Sequence, residues 1–430
     1  MLGFETLSPT AVRKKAVWGR KVAASIIAAF IAIPAAAQTT DITEKFDDAV
    51  REAWAAGSFS RVIMRFGTVA ERDRGYKELL DKGAAVRVMD GEDSPTLNVF
   101  ASPAAFGTID YAERISFDAP VQVSATVQKR AKFVRGLGAR QAKSRYSGRG
   151  TGVTVAVIDS GYNPHPDIPA ARILKFKDFV DGGSTPKDTC GHGTHVAGII
   201  AGSGAGSEGD YSGVSEDSNL VIIRVLGDDC SGKTSDVIDA LDWVSKNHRA
   251  YNIKVVNLSL GHPVFEPSST DLMVKSVQRL SEQGVVVVTA AGNMGINPTT
   301  GLPGYGGVGV PCNAPRAICV GAGDTRNTDA LGDDRVTDYS SRGPSRFDFL
   351  AKPDLVATGH QVISLSAPGS MLFKNYPGLQ VYGGAETEGQ PAQYMTLSGT
   401  SMAAPMTAGA AAVVLGKNPR LSANTVKMIL

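Results

Sequence analysis

From Gly152 onward the chain is built on runs of apolar, β-branched residues, and these leave few fold classes open. They are VTVAVID (153–159), LVIIRVL (220–226), KVVNLSL (254–260), GVVVVTAA (284–291) and AICVGA (317–322), each bounded by turn residues. Helical patterns stand between several of them, over residues 234–246 and 271–283. A strand with one face in water alternates apolar and polar side chains, whereas a run apolar at every position must be covered on both faces. Such strands joined by helices predict an α/β fold, with a mainly parallel sheet buried between flanking helices. In these sheets reactive groups collect at the carboxyl ends of the strands, so the residues that follow each run are the candidates.

Composition narrows the partners. Of 430 residues, 43% are hydrophobic and 20% charged, which permits a large core and excludes global disorder. The 48 glycines follow no Gly-X-Y period and so mean tight turns, not a collagen. Lys and Arg total 44 against 42 Asp and Glu, and a net charge of +2 asks for no nucleic acid or anionic surface.

The N-terminal region has three parts. Arg13, Lys14, Lys15, Arg20 and Lys21 precede an uncharged run at residues 22–37 that ends in Ala35-Ala36-Ala37. That is the layout of a secretory signal peptide, residues 1–37, and it predicts export to the cell exterior or a periplasm. As a helix the run would reach only about 24 Å, short of a roughly 30 Å hydrocarbon core, and Pro34 interrupts it. Cleavage would leave no membrane span. Residues 38–128 then read as a small α+β unit of order β-α-β-β-α-β, ferredoxin-like, with strands at 61–66, 85–89, 96–101 and 121–127. A basic, glycine-containing segment, residues 129–149, joins it to the body of the chain, taken as residues 129–430.

Four residues at strand or helix ends carry candidate chemistry. Asp159 ends the first run, where Asp-Ser-Gly also makes a turn. His192 opens an apolar helix in Gly191-His192-Gly193-Thr194-His195, and a neutral imidazole is the side chain best suited to general-base work near pH 7. Cys190, His192 and His195 do not have zinc-ligand spacing, and no second cysteine cluster completes a set of four. Asn293 follows a buried strand and is an amide donor able to stabilise developing negative charge. Ser401, in Gly399-Thr400-Ser401-Met402-Ala403-Ala404-Pro405, starts an Ala-rich helix, where its backbone N–H is free. Ala403 stands where the α/β-hydrolase elbow has its second Gly, so that motif does not fit.

The order Asp, His, Asn, Ser in these surroundings resembles the subtilisin-like serine proteases, the subtilases. The matching blocks are VAVIDSG with Asp159, GHGTHVAG with His192, NLSLG with Ser259, AAGN with Asn293 and GTSMAAP with Ser401. YSSRGP at 339–344 and KPD at 352–354 extend the match. Asp, His and Ser stand in the same chain order in subtilisin itself. The resemblance implies a secreted serine endopeptidase in which Ser401 is the nucleophile, His192 the general base and acid, Asp159 its orienter, and Asn293 with the Ser401 N–H the oxyanion hole. Substrate would dock as an extended strand between Ser259-Leu260-Gly261 and Ser231-Gly232. A first pocket walled by Leu260, Gly261, Ala290, Ala291 and Gly292 would take a sizeable apolar side chain.

The resemblance further implies that residues 38–128 are an inhibitory propeptide, which the enzyme removes from itself by a cut between about Ser124 and Arg130. The enzyme would be a monomer acting on proteins and peptides. It would need no cofactor for its chemistry. Many subtilases carry structural calcium, and here Gly202 to Gly213 offers Glu208 and Asp210 without a recognisable ligand series. Four cysteines allow three pairings; if Cys312 and Cys319 close a local loop, Cys190 pairs with Cys230 and braces the cleft. The chain stops at Leu430 inside a helix begun near Ser422, which suggests a truncated product. The rival class is a secreted binding protein on an inactive subtilase fold, and four filled catalytic positions argue against it.

Overall fold

The computed structural model describes residues 42–89, 91, 93–124, 148–326, 328, 331–382 and 391–430. The expected signal peptide and most of the basic segment lie outside the described residues. The chain divides into two compact units, Met1–Asp118 and Ala119–Leu430.

The first unit runs α1 (Asp48–Ala55), β1 (Ser60–Arg65), α2 (Val69–Asp81), β2 (Ala85–Val88), β3 (Thr96–Ala101), α3 (Pro103–Phe106) and β4 (Arg114–Phe117). Its strands pair antiparallel in the order β2-β3-β1-β4, the ferredoxin-like arrangement. Thr68 and Glu71 form a capping box that starts α2, and Val62, Met64, Leu97, Val99, Phe106 and Ile115 fill the core. The closing strand is Arg114–Phe117 and not the expected strand at 121–127, of which residues 125–127 lie outside the described residues. Ile115 and Ser116 bury against β1, while Pro120–Val123 finds backbone partners on both sides within the second unit.

That strand, β5 (Pro120–Val123), opens the second unit. It is followed by β6 (Thr154–Asp159), β7 (Ile173–Asp178), α4 (His192–Ala201), β8 (Asn219–Arg224), β9 (Ser231–Lys233), α5 (Thr234–Asn247), β10 (Ile253–Leu258), β11 (Leu260–Gly261), α6 (Leu272–Glu282), β12 (Val286–Ala290) and β13 (Ile318–Asp324). Beyond these lie β14 (Arg335–Val336), β15 (Leu355–Thr358), α7 (Met371–Asn375), α8 (Thr400–Lys417) and α9 (Ala423–Ile429), with further short strands between. The main sheet runs β14-β13-β12-β10-β6-β8-β7, with β15 also on β13; all its pairs are parallel except β13–β14.

Burial follows from the runs. β6 and β12 are buried at every residue, as strands covered on both faces must be. α4 and α8 pack together against the sheet. A Cβ on Gly198 of α4 would fall 2.3 Å from Ser364 Oγ. α4 is buried at all ten positions, the pattern of a helix enclosed on every side. Among the described residues no helix is long and apolar enough to cross a membrane.

Candidate active site

Asp159 is the last residue of β6, and α4 begins with His192, so sheet and helix set the two side chains against each other. Both are fully buried, with His192 Nδ1 2.8 Å from Asp159 Oδ1. A carboxylate only accepts, so Nδ1 presents a proton to it, and in the neutral ring the lone pair is on Nε2. Asp159 Oδ1 also accepts from Ser160 N at 2.7 Å. The glycines around His192 serve backbone packing: Gly191 is in the left-handed region at φ +99°, and a Cβ on Gly193 would sit 2.3 Å from Gly161 O.

His195, three residues on, is packed inside. Burial, and then the charge of neighbouring His192, push its pKa down to about 3. Its Nε2 lies 3.0 Å from Met395 O and 3.2 Å from Val362 O, so the proton sits on Nε2 and the ring stays neutral. Among the described residues no group of three or more His, Cys, Asp or Glu could hold a metal ion, and Glu208 and Asp210 belong to no such group.

Ser401 is the second residue of α8. Pro405 stands in the same helix and has no N–H to give to the Ser401 carbonyl four residues earlier. Ser259 Oγ supplies the missing donor at 2.9 Å and itself accepts from Asn257 Nδ2 at 2.9 Å. In return Ser401 Oγ donates to Ser259 O at 2.7 Å. The hydroxyl is therefore directed to Ser259, and the buried His192 Nε2 has no hydrogen-bond partner among the described residues.

Asn293 lies three residues beyond β12. Its Oδ1 accepts from Thr400 N and Thr400 Oγ1, both at 3.1 Å, which fixes the amide with Nδ2 outward. That Nδ2 donates to Ser124 O at 2.6 Å, and Ser401 N donates to the same oxygen at 3.2 Å. Thr400 is one residue of the site that the sequence reading did not single out, although it sits inside the GTSMAAP block.

Ser124 directly follows β5, the middle strand of a three-stranded antiparallel sheet ordered β11-β5-β9. Val123 pairs with Leu260 and Gln122 with Gly261 on one side; Gln122 pairs with Ser231 and Val121 with Gly232 on the other. Ser124 N donates to Ser259 O at 3.3 Å. Ser231, Gly232, Ser259, Leu260 and Gly261 are thus brought together along one strand of the chain itself. Ala290, Ala291 and Gly292 stand at the end of β12, where Ala291 bonds Val320 and Gly309, and Gly292 N donates to Thr400 Oγ1 at 3.0 Å. The four cysteines pair as Cys190–Cys230 and Cys312–Cys319. The first bridge ties the residue two before His192 to the residue before β9.

Residues 150–430 match the family model described as the Subtilase family. The chain is 38% identical over 286 residues to serine protease AprX of Bacillus subtilis (strain 168), covering 65% of this chain and 61% of that one. It is 32% identical over 334 residues to an alkaline protease of Alkalihalobacillus alcalophilus, covering 77% of this chain and 72% of that one. Among solved structures, S41 psychrophilic protease matches with a TM-score of 0.54 and 32% identity, over 70% of this chain and 90% of that one.

Proposed function

The chain belongs to the subtilase family, and from that premise we propose that it is a serine endopeptidase whose first substrate is its own Ser124–Ala125 peptide bond. The observation that carries this is the Ser124 carbonyl oxygen, held by Asn293 Nδ2 at 2.6 Å and Ser401 N at 3.2 Å at the end of a strand paired on both sides. Two convergent donors on one carbonyl are what an acyl-transfer site needs for the oxyanion.

In this reading the Ser401 side chain turns away from Ser259 O and gives its hydroxyl to Nε2 of His192, which has no other partner among the described residues. Oγ then attacks the Ser124 carbonyl carbon, and His192 takes the hydroxyl proton as Asp159 steadies the imidazolium. The tetrahedral oxyanion stays between Asn293 Nδ2 and Ser401 N. Its collapse breaks the bond to Ala125, whose amine leaves with the proton from His192, and Ser124 remains as an ester on Ser401. Water, deprotonated by His192, releases the acid and restores the enzyme. No cofactor takes part in these steps. Other proteins and peptides would enter as Val121 to Ser124 do, through backbone pairing that tolerates many sequences.

In this reading residues 38–124 are the propeptide, at the near end of the range expected from sequence. Residues 1–37 are its export signal, and the mature chain is a secreted monomer. The test is labelling with a fluorophosphonate probe on wild type and Ser401→Ala. A labelled band of mature size in wild type alone supports the reading; a folded, processed wild type that takes no label refutes it.

A further inference from the structure

We infer that Asp188 is a positioning residue for the proposed reaction, and that it works as an obligate carboxylate tying the Asp159 loop to the helix that carries His192. Asp188 is 2% exposed. Its Oδ1 accepts from Ser160 Oγ at 2.8 Å and Gly191 N at 2.7 Å. Its Oδ2 accepts from Thr194 N at 2.8 Å and Thr194 Oγ1 at 2.7 Å. Four donors saturate the two oxygens, which is the acceptor capacity of an ionised carboxylate.

The two hydroxyls have no freedom to reverse. Ser160 Oγ accepts from Gly193 N at 2.8 Å, so its proton goes to Asp188. Thr194 Oγ1 accepts from Asn163 N at 3.0 Å, so its proton goes there too. Asn163 Oδ1 closes the circle by accepting from Asp188 N at 2.9 Å. The site presents donors alone, and an isosteric amide would have to aim an NH₂ group at two of them.

The placement explains the need. Gly191 is the N-cap of α4 and makes no side-chain cap. A glycine there permits the left-handed turn but leaves the first N–H groups of the helix without partners. Asp188 takes the N–H of Thr194 directly and that of Gly193 through Ser160. Ser160 N meanwhile holds Asp159 Oδ1 at 2.7 Å. One buried carboxylate therefore sets both the entry angle of the helix bearing His192 and the loop bearing Asp159. It touches neither substrate nor the reacting atoms.

This rests on the proposed protease reading, and the test separates the two. Asp188→Asn and Ser160→Ala are made in the full chain. KM and kcat per titrated active site are measured on an internally quenched peptide of residues 119–128, with thermal unfolding alongside. Misplacement of a catalytic base by an ångström costs about 100-fold, so Asp188→Asn is expected to lower kcat about 10- to 100-fold with KM within about twofold. Ser160→Ala, which keeps the carboxylate but removes its Ser160 donor and the link through it to Gly193 N, is expected to lower kcat about 3- to 10-fold. Folded variants with lowered melting temperature but wild-type kcat per site would show a merely structural role and overturn the inference. If Asp188→Asn does not fold, Ser160→Ala decides alone, and a wild-type kcat in it is equally fatal. A wild-type enzyme that leaves the peptide uncut would instead refute the reading beneath.

Discussion

His195 makes the fold acid-sensitive in a way that can be isolated. The ring is fully buried between α4 and the carbonyls of Val362 and Met395, and its pKa falls from 6.5 to about 3, by burial first and His192 second. The folded chain therefore keeps His195 neutral over a range where the unfolded chain protonates it. Between pH 6.5 and 3 the unfolded state binds the extra proton, so stability is full above 6.5 and is lost as pH falls through that window. Each pH unit in the window corresponds to about 1.4 kcal/mol, so acidification from 6.5 to 4.5 should remove up to about 3 kcal/mol through this residue. The assay is urea unfolding at both pH values in a Ser401→Ala background, which prevents self-digestion, with and without His195→Gln. The glutamine variant starts less stable but should lose up to about 3 kcal/mol less on acidification. Burial also lowers the pKa of His165, which is common to both proteins and cancels in the difference. Equal losses in the two proteins would refute the assignment of this sensitivity to His195.

Asn293→Ala should leave Ser124 O with the Ser401 N–H alone and reduce kcat by about 100- to 1000-fold with little change in KM, the known cost of such a donor in a subtilisin. Steady-state kinetics on the peptide of residues 119–128 checks it. The Cys190–Cys230 bridge closes a loop with a sequence separation of 40, against 7 for Cys312–Cys319. Loop-closure entropy then assigns about 4 kcal/mol to the first and roughly 2 kcal/mol to the second. Double Cys→Ser variants compared by urea unfolding should keep that order, and a reversed order would contradict it.

Much of the main sheet is legible in the sequence because its strands are buried on both faces, which leaves continuous apolar runs that a strand with one face in water does not produce. The edge strand β7 is not legible. Residues 173–178, ILKFKD, leave Leu174 and Lys175 exposed and so read as a mixed polar segment. Residues 120–123 show the complementary limit, because alternation predicts a strand but not the sheet it joins. PVQV pairs with β9 and β11 instead of closing the first unit, since both of its backbone edges find partners there. Asp159, His192, Asn293 and Ser401 could be singled out because each follows a strand or opens a helix. Asp188 could not, because its role depends on Ser160, 28 residues earlier, and on donors that only the folded loop assembles. The pairing of the cysteines was open among three arrangements until the fold brought Cys190 to Cys230.

The most direct test of the central claim, that Ser401 cuts the chain at the carbonyl now held by Asn293, is the intact mass of purified wild type and Ser401→Ala. A wild-type product that begins at Ala125 is expected, with a Ser401→Ala chain that retains the residues before it. Processing of Ser401→Ala to the same product, or a wild-type N-terminus away from Ala125, would contradict it.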